Sequence, residues 1–135
     1  MTTGRIVSGD REILFPHLME RAKRAASAFH GLGVSENDAI ACLLRNDFCF
    51  FEAAIGAGLL GAYFVPINWH SKAGEVEYVL GDCGAKVLVA HADLARGLGL
   101  DDAKNWRLIE AETPKEISAA YGVSADDAKP MAHHV

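Results

Sequence analysis

Cysteine, basic charge and long apolar runs are all scarce in this chain of 135 residues, and each scarcity removes a class of protein. The three cysteines, Cys42, Cys49 and Cys83, are an odd number without metal-type spacing. They support neither a disulfide framework nor a zinc site, and read as reduced, mostly buried thiols of a cytosolic protein. Lys and Arg number 13 against 18 Asp and Glu, a formal net charge of -5. No Lys/Arg cluster offers a stripe that would neutralise phosphates, which argues against a nucleic-acid partner. The N-terminus, Met1-Thr2-Thr3-Gly4-Arg5, lacks the basic-then-apolar layout of a secretory signal. The longest nearly apolar stretch, Phe48 to Ile67, holds Glu52, several glycines and Pro66, and changes from helix to strand pattern midway. No membrane span is expected from it, and the expected compartment is cytoplasmic.

Chemical signatures are equally sparse. No serine sits in a Gly-x-Ser-x-Gly elbow. The six histidines (His17, His30, His70, His91, His133 and His134) contain no pair spaced along one helical face beside a carboxylate base. Cys49 lies among phenylalanines, where burial blunts thiol reactivity. Glu75 and Glu77 stand at a helix start, where solvation and the helix dipole account for them. No catalytic, cofactor-binding or metal-binding residue is assigned.

What the chain does contain is a core. Half of the residues are hydrophobic and 23% are charged, close to a globular average of about 25%, so one domain with a real interior is expected. Ile6-Val7 and Glu12-Ile13-Leu14, separated by Ser8-Gly9-Asp10-Arg11, read as a small hairpin. From Pro16 to His30, Leu18, Ala22, Ala25 and Phe29 recur at helical spacing, and Gly31 and Gly33 end that helix. Ala39 to Leu44 is an unbroken apolar run, as in a strand covered on both faces. Asn46 is a candidate N-cap for a helix from about Asp47 to Leu60. Tyr63-Phe64-Val65 reads as a second buried strand ended by Pro66. Ser71 is a candidate cap for a helix to Leu80, with Gly81 and Gly84 bracketing the turn into a strand from Lys86 to Ala90. His91 to Leu98 suits another helix and Trp106 to Ile109 another strand. The expected fold class is α/β, a parallel sheet flanked by helices in βαβαβ order with right-handed crossovers.

Two motifs invite a nucleotide reading. Gly56-Ala57-Gly58-Leu59-Leu60-Gly61 matches G-x-G-x-x-G, but that site needs a strand before the glycines and a helix opening on them. Here the helix runs into the glycines and a strand follows, so close packing and helix termination are expected of them. Thr113-Pro114-Lys115 has no glycines or hydroxyls before it, and Glu116 stands where a phosphate loop needs glycine. A solvated turn accounts for it better.

The pattern from Leu14 to Ala90 nevertheless resembles a family. Gly33-Val34, Arg45-Asn46, Leu60-Gly61-Ala62, Val65-Pro66-Ile67-Asn68, Glu75-Val76-Glu77-Tyr78-Val79-Leu80 and Asp82-Cys83-Gly84-Ala85-Lys86 occur in the order typical of acyl-CoA synthetases, members of the adenylate-forming superfamily. Asn68-Trp69-His70 looks more like synthetases of fatty or aryl acids than peptide-synthetase adenylation domains. The resemblance implies a partial N-terminal α/β domain over residues 1–112, followed by a linker or frayed end over 113–135. It implies a two-step ligase using ATP, Mg and CoA, whose phosphate loop, Mg-binding Glu, ribose-binding Asp and mobile-domain Lys cannot be placed on this chain. The fragment is therefore expected to be inactive alone and to need no cofactor itself. Its expected partner is the remainder of a synthetase, or a second copy through exposed apolar surface. The alternatives are a stand-alone structural or dimerisation module and, further off, a small nucleotide-binding protein using the glycine run.

Overall fold

The computed structural model describes residues 5–8, 11–45, 48–103 and 105–111. An antiparallel hairpin, β1 (Arg5–Ser8) and β2 (Arg11–Leu14), leads directly into α1 (Phe15–Gly31). Pro16 lies in the first turn of α1, where a missing N–H costs nothing, and Leu18, Ala22, Ala25 and Phe29 form the buried stripe that the spacing predicts. The helix closes through Leu32, whose N–H reaches the carbonyls of Ala28 and Phe29 at 3.1 Å each. Gly33 then turns the chain with φ of +92°, a left-handed angle that side chains resist.

Six further elements follow: β3 (Ala39–Leu43), α2 (Phe48–Leu59), β4 (Tyr63–Pro66), α3 (Ala73–Cys83), β5 (Ala85–His91) and α4 (Ala92–Leu98). A last strand, β6 (Arg107–Ala111), completes a four-stranded sheet of order β4-β3-β5-β6 in which every neighbouring pair is parallel. The chain winds outward from β3 to β4, then crosses back past β3 to β5. Right-handed crossovers therefore place α2 on one face and α3 and α4 on the other.

Side chains alternate between these layers. Ile40, Cys42, Val87 and Val89 pack with Ala25, Phe29, Ala53 and Ala57 of α1 and α2. Ala39, Ala41, Leu43, Leu88 and Ala90 pack with Val76, Leu80 and Ala95 of α3 and α4. Every residue of β3 is buried, as a strand covered on both faces requires.

Three local expectations are corrected. The strand β4 is the sheet edge and only half-buried, because no strand pairs with its outer side among the described residues. Its Tyr63 N–H and the following Ile67 N–H turn toward β3, donating to Asp38 and Cys42 carbonyls at 2.8 Å. The backbone polar groups of Phe64 and Pro66 thus point away from β3, while the Phe64 ring packs edge-on against Phe50 of α2, and Pro66 carries no N–H to leave bare at the edge. Lys72, not Ser71, is the N-cap of α3, and the Glu75 carboxylate accepts the Lys72 N–H at 3.0 Å. The helix also passes through Gly81 and ends at Cys83, where Gly84 supplies φ of +64°. The Asn46 cap, the Gly9-Asp10 turn and residues 113–135 lie outside the described residues. No helix among the described residues is long and apolar enough to cross a membrane.

Candidate functional site at the carboxyl edge of the sheet

In an open parallel sheet the crevice for ligands lies outside the carboxyl ends of the strands, where the winding reverses. Here that point falls between β3 and β5, whose connections leave toward opposite faces. Two residues beyond the end of each strand stand Arg45 and Asp93. The Arg45 guanidinium forks onto the Asp93 carboxylate, Nη1 to Oδ1 at 2.9 Å and Nη2 to Oδ2 at 2.6 Å. Their side chains are only 7% and 9% exposed, so the pair is shielded from water and salt. The Arg45 backbone N–H donates to Nδ1 of the fully buried His91 at 3.1 Å. From the loop after β4, the Trp69 ring lies 5.1 Å from the guanidinium carbon. Trp69 in turn stacks on His70, whose N–H is held by Asn68 Oδ1 at 3.0 Å.

One guanidinium therefore ties together the loops that follow β3 and β4 and the first turn of α4, which follows β5 directly. Its fork is occupied by a carboxylate and its charge is balanced, which makes the cluster a lock between loops and leaves it poorly suited to clamp a triphosphate. In the sequence Arg45 stands out only inside the family pattern, His91 only as one of six histidines with no ligand-type spacing and as the start of a helix, and Asp93 not at all. The available signal was positional: charged residues two beyond the ends of two adjacent parallel strands.

Other candidates behave as follows. Gly56 and Gly58 sit within α2 and Gly61 follows it with φ of +70°, so no helix opens on the glycine run. Gly56 packs against α1, since a Cβ there would come within 3.0 Å of the Ala22 carbonyl oxygen. Gly58 faces open space, so the packing role expected of it does not hold. Cys42 and Cys49 are buried and Cys83 is half-buried. Burial pushes the Cys42 thiol up to about 12, against a weaker opposing hydrogen bond from the Ile67 backbone. Asp38 is held below its ordinary value, chiefly by the Ser35 backbone N–H and then by Lys86. Among the described residues no three His, Cys, Asp or Glu side chains come together as a metal would require. Thr113-Pro114-Lys115, His133 and His134 lie outside the described residues.

Comparison with known proteins agrees with the pattern that Arg45-Asn46 and Val65-Pro66-Ile67-Asn68 carry. The AMP-binding enzyme family matches residues 3–133. Long-chain-fatty-acid–CoA ligase FadD13 of Mycobacterium tuberculosis is 35% identical over 88 residues, which is 65% of this chain and 18% of that protein. Feruloyl-CoA synthase of an Amycolatopsis species is 31% identical over 93 residues, 67% of this chain and 19% of the relative. A benzoate CoA ligase from Burkholderia xenovorans superposes with a TM-score of 0.71 at 25% identity, covering 94% of this chain and 26% of that one. The chain thus spans about a fifth of the length of these curated relatives. With a family match across nearly its whole length and a parallel sheet shared with solved ligases, the chain belongs to the AMP-binding, adenylate-forming enzymes and corresponds to the N-terminal region of their acyl-CoA synthetases.

Proposed function

We propose that this chain forms the opening α/β unit of an ATP-dependent acyl-CoA ligase and acts there as scaffold. The family match over residues 3–133 carries the reading. In the reaction so assigned, a carboxylate oxygen attacks the α-phosphorus of Mg-ATP and pyrophosphate leaves, giving an acyl adenylate. The CoA sulfur then attacks the acyl carbon and AMP leaves, giving the thioester. Catalysis of such transfers rests on charged groups that position and stabilise phosphates. The described residues supply none in a suitable place, since the Arg45 fork is taken by Asp93 and the glycine run lies at a helix end. ATP, Mg and CoA are accordingly assigned to the complete ligase.

The purified 135-residue chain is expected to show no carboxylate-dependent ATP–pyrophosphate exchange above a heat-killed control. Exchange by the chain alone would overturn the scaffold role. Exchange is expected from a longer reading-frame product that contains this segment, and an inactive, folded product of that kind would count against the ligase assignment.

A further inference from the structure

Among the described residues every helix turns charge to solvent except α2. Glu20, Lys23 and Arg24 are exposed on α1, Glu75, Glu77 and Asp82 on α3, and Arg96 on α4. The single charged residue of α2, Glu52, is buried and bonded to Arg21. Its outward side is left to Phe51 and Leu59, 38% and 50% exposed, with half-buried Ala54 and Ile55 and exposed Gly58 between them. Phe51, Ile55 and Leu59 recur at steps of four, so these residues form one apolar stripe about 12 Å long. Gly58 stands within it and is unexplained by the chain itself. A glycine inside a helix weakens it relative to alanine, yet a Cβ here would meet no atom within 4 Å, and the backbone angle is not left-handed. Gly56 shows what a glycine on this helix does where a neighbour is present, since its Cβ would come within 3.0 Å of the Ala22 carbonyl oxygen. Gly58 offers the same notch about 200° further round the helix, on the side that nothing in the chain approaches.

Size decides what covers the stripe. Five residues fall well short of the roughly 800 Å² per partner that holds a stable dimer, so a second copy seats there only weakly. An element of the same polypeptide loses no translational freedom on docking, and a small contact suffices for it. The part of the curated relatives matched by this chain is 18% and 19% of their length, so most of such a polypeptide lies outside these residues. We propose that, in the ligase assigned above, the outer face of α2 is the seam on which a later element of the same polypeptide closes, its backbone nearest at Gly58. The proposal rests on the ligase reading for the identity of that element. The element is uncharged where it meets Phe51, Ile55 and Leu59, because a charge placed there would be desolvated with no partner on α2.

The test is hydroxyl-radical labelling read by peptide mass, comparing the 135-residue chain with the longer reading-frame product over a dilution series. Phe51 and Leu59 are expected to be oxidised in the dilute chain and roughly fivefold less in the longer product, where close packing excludes water. Gly58→Leu places its side chain in open space in the short chain, whose melting temperature is expected to hold or rise. The same change is expected to lower the melting temperature of the longer product by about 5 °C through overpacking at the seam. Labelling does not depend on activity, so a folded longer product that protects both residues but exchanges no pyrophosphate removes the ligase reading and leaves the seam standing. The proposal is overturned if the reading frame ends at Val135, or if Phe51 and Leu59 label alike in the two products. It is also overturned if the short chain alone protects them, which at all dilutions assigns the face to residues 112–135 and only when concentrated to a second copy. A Gly58→Leu shift of the same sign and size in both products overturns it as well.

Discussion

Arg45 illustrates how much a single side chain can hold. Removing one member of a buried ion pair leaves the other charged and desolvated, at a cost of about 3–5 kcal/mol, whereas replacing both with apolar groups is often near neutral. Arg45→Met is therefore expected to destabilise the chain by roughly 3 kcal/mol in urea unfolding, and the Arg45→Met/Asp93→Leu pair to recover most of that loss. Additive losses in the double variant would show that the two side chains act separately. Little of this cluster was legible beforehand. Arg45 and Asp93 are 48 residues apart, and no local periodicity says which carboxylate a guanidinium will meet. The cysteines were more legible, because a thiol inside an unbroken apolar strand must be buried. With its thiol pushed up to about 12, Cys42 stays protonated at pH 8, while Cys83 is the least buried of the three. Iodoacetamide at that pH is expected to label Cys83 first and Cys42 only on unfolding, read by peptide mass. Early labelling of Cys42 would contradict its burial.

Among the elements, α2 shows why a motif must be judged by the structure around it. Its glycines match a phosphate-binding string, yet they come at the end of a helix, and their separate duties follow from what each one touches. A Cβ on Gly56 would meet the Ala22 carbonyl oxygen at 3.0 Å and the Ala26 nitrogen at 3.2 Å, backbone atoms that can move only if the helices part. A Cβ on Gly58 meets nothing within 4 Å. Gly56→Ala is thus expected to destabilise by about 1–2 kcal/mol through overpacking. Gly58→Ala is expected to stabilise by about 0.5–1 kcal/mol through helix propensity. Thermal unfolding of the two variants should show shifts of opposite sign, and a shared sign would sink the distinction. The order of helix and strand around the glycines could be read in the sequence. Which glycine faces α1 could not, since that depends on how the two helices are set against each other.

For the whole molecule, the distribution of charge over α2 is decisive. The one charged residue described in this helix, Glu52, points inward to Arg21, leaving Phe51 and Leu59 exposed. A helix without a charged outer face belongs against other protein. The isolated chain is expected to self-associate at roughly 100 μM in sedimentation, and Leu59→Lys to reduce it. A compact monomer that binds no apolar dye would contradict this and favour a self-contained module. The sequence by itself determined the kinds of elements and the two-sided parallel sheet, because apolar spacing along a helix or strand records which faces meet the core. It also carried the family, through short patterns whose order survives in the chain. Tertiary structure alone decided the order β4-β3-β5-β6, the exposure of β4 at its edge and the Arg45–Asp93 lock. Strand neighbours and charge partners are chosen between segments far apart in the chain, by which packing buries most apolar surface, and a local pattern holds no record of that choice.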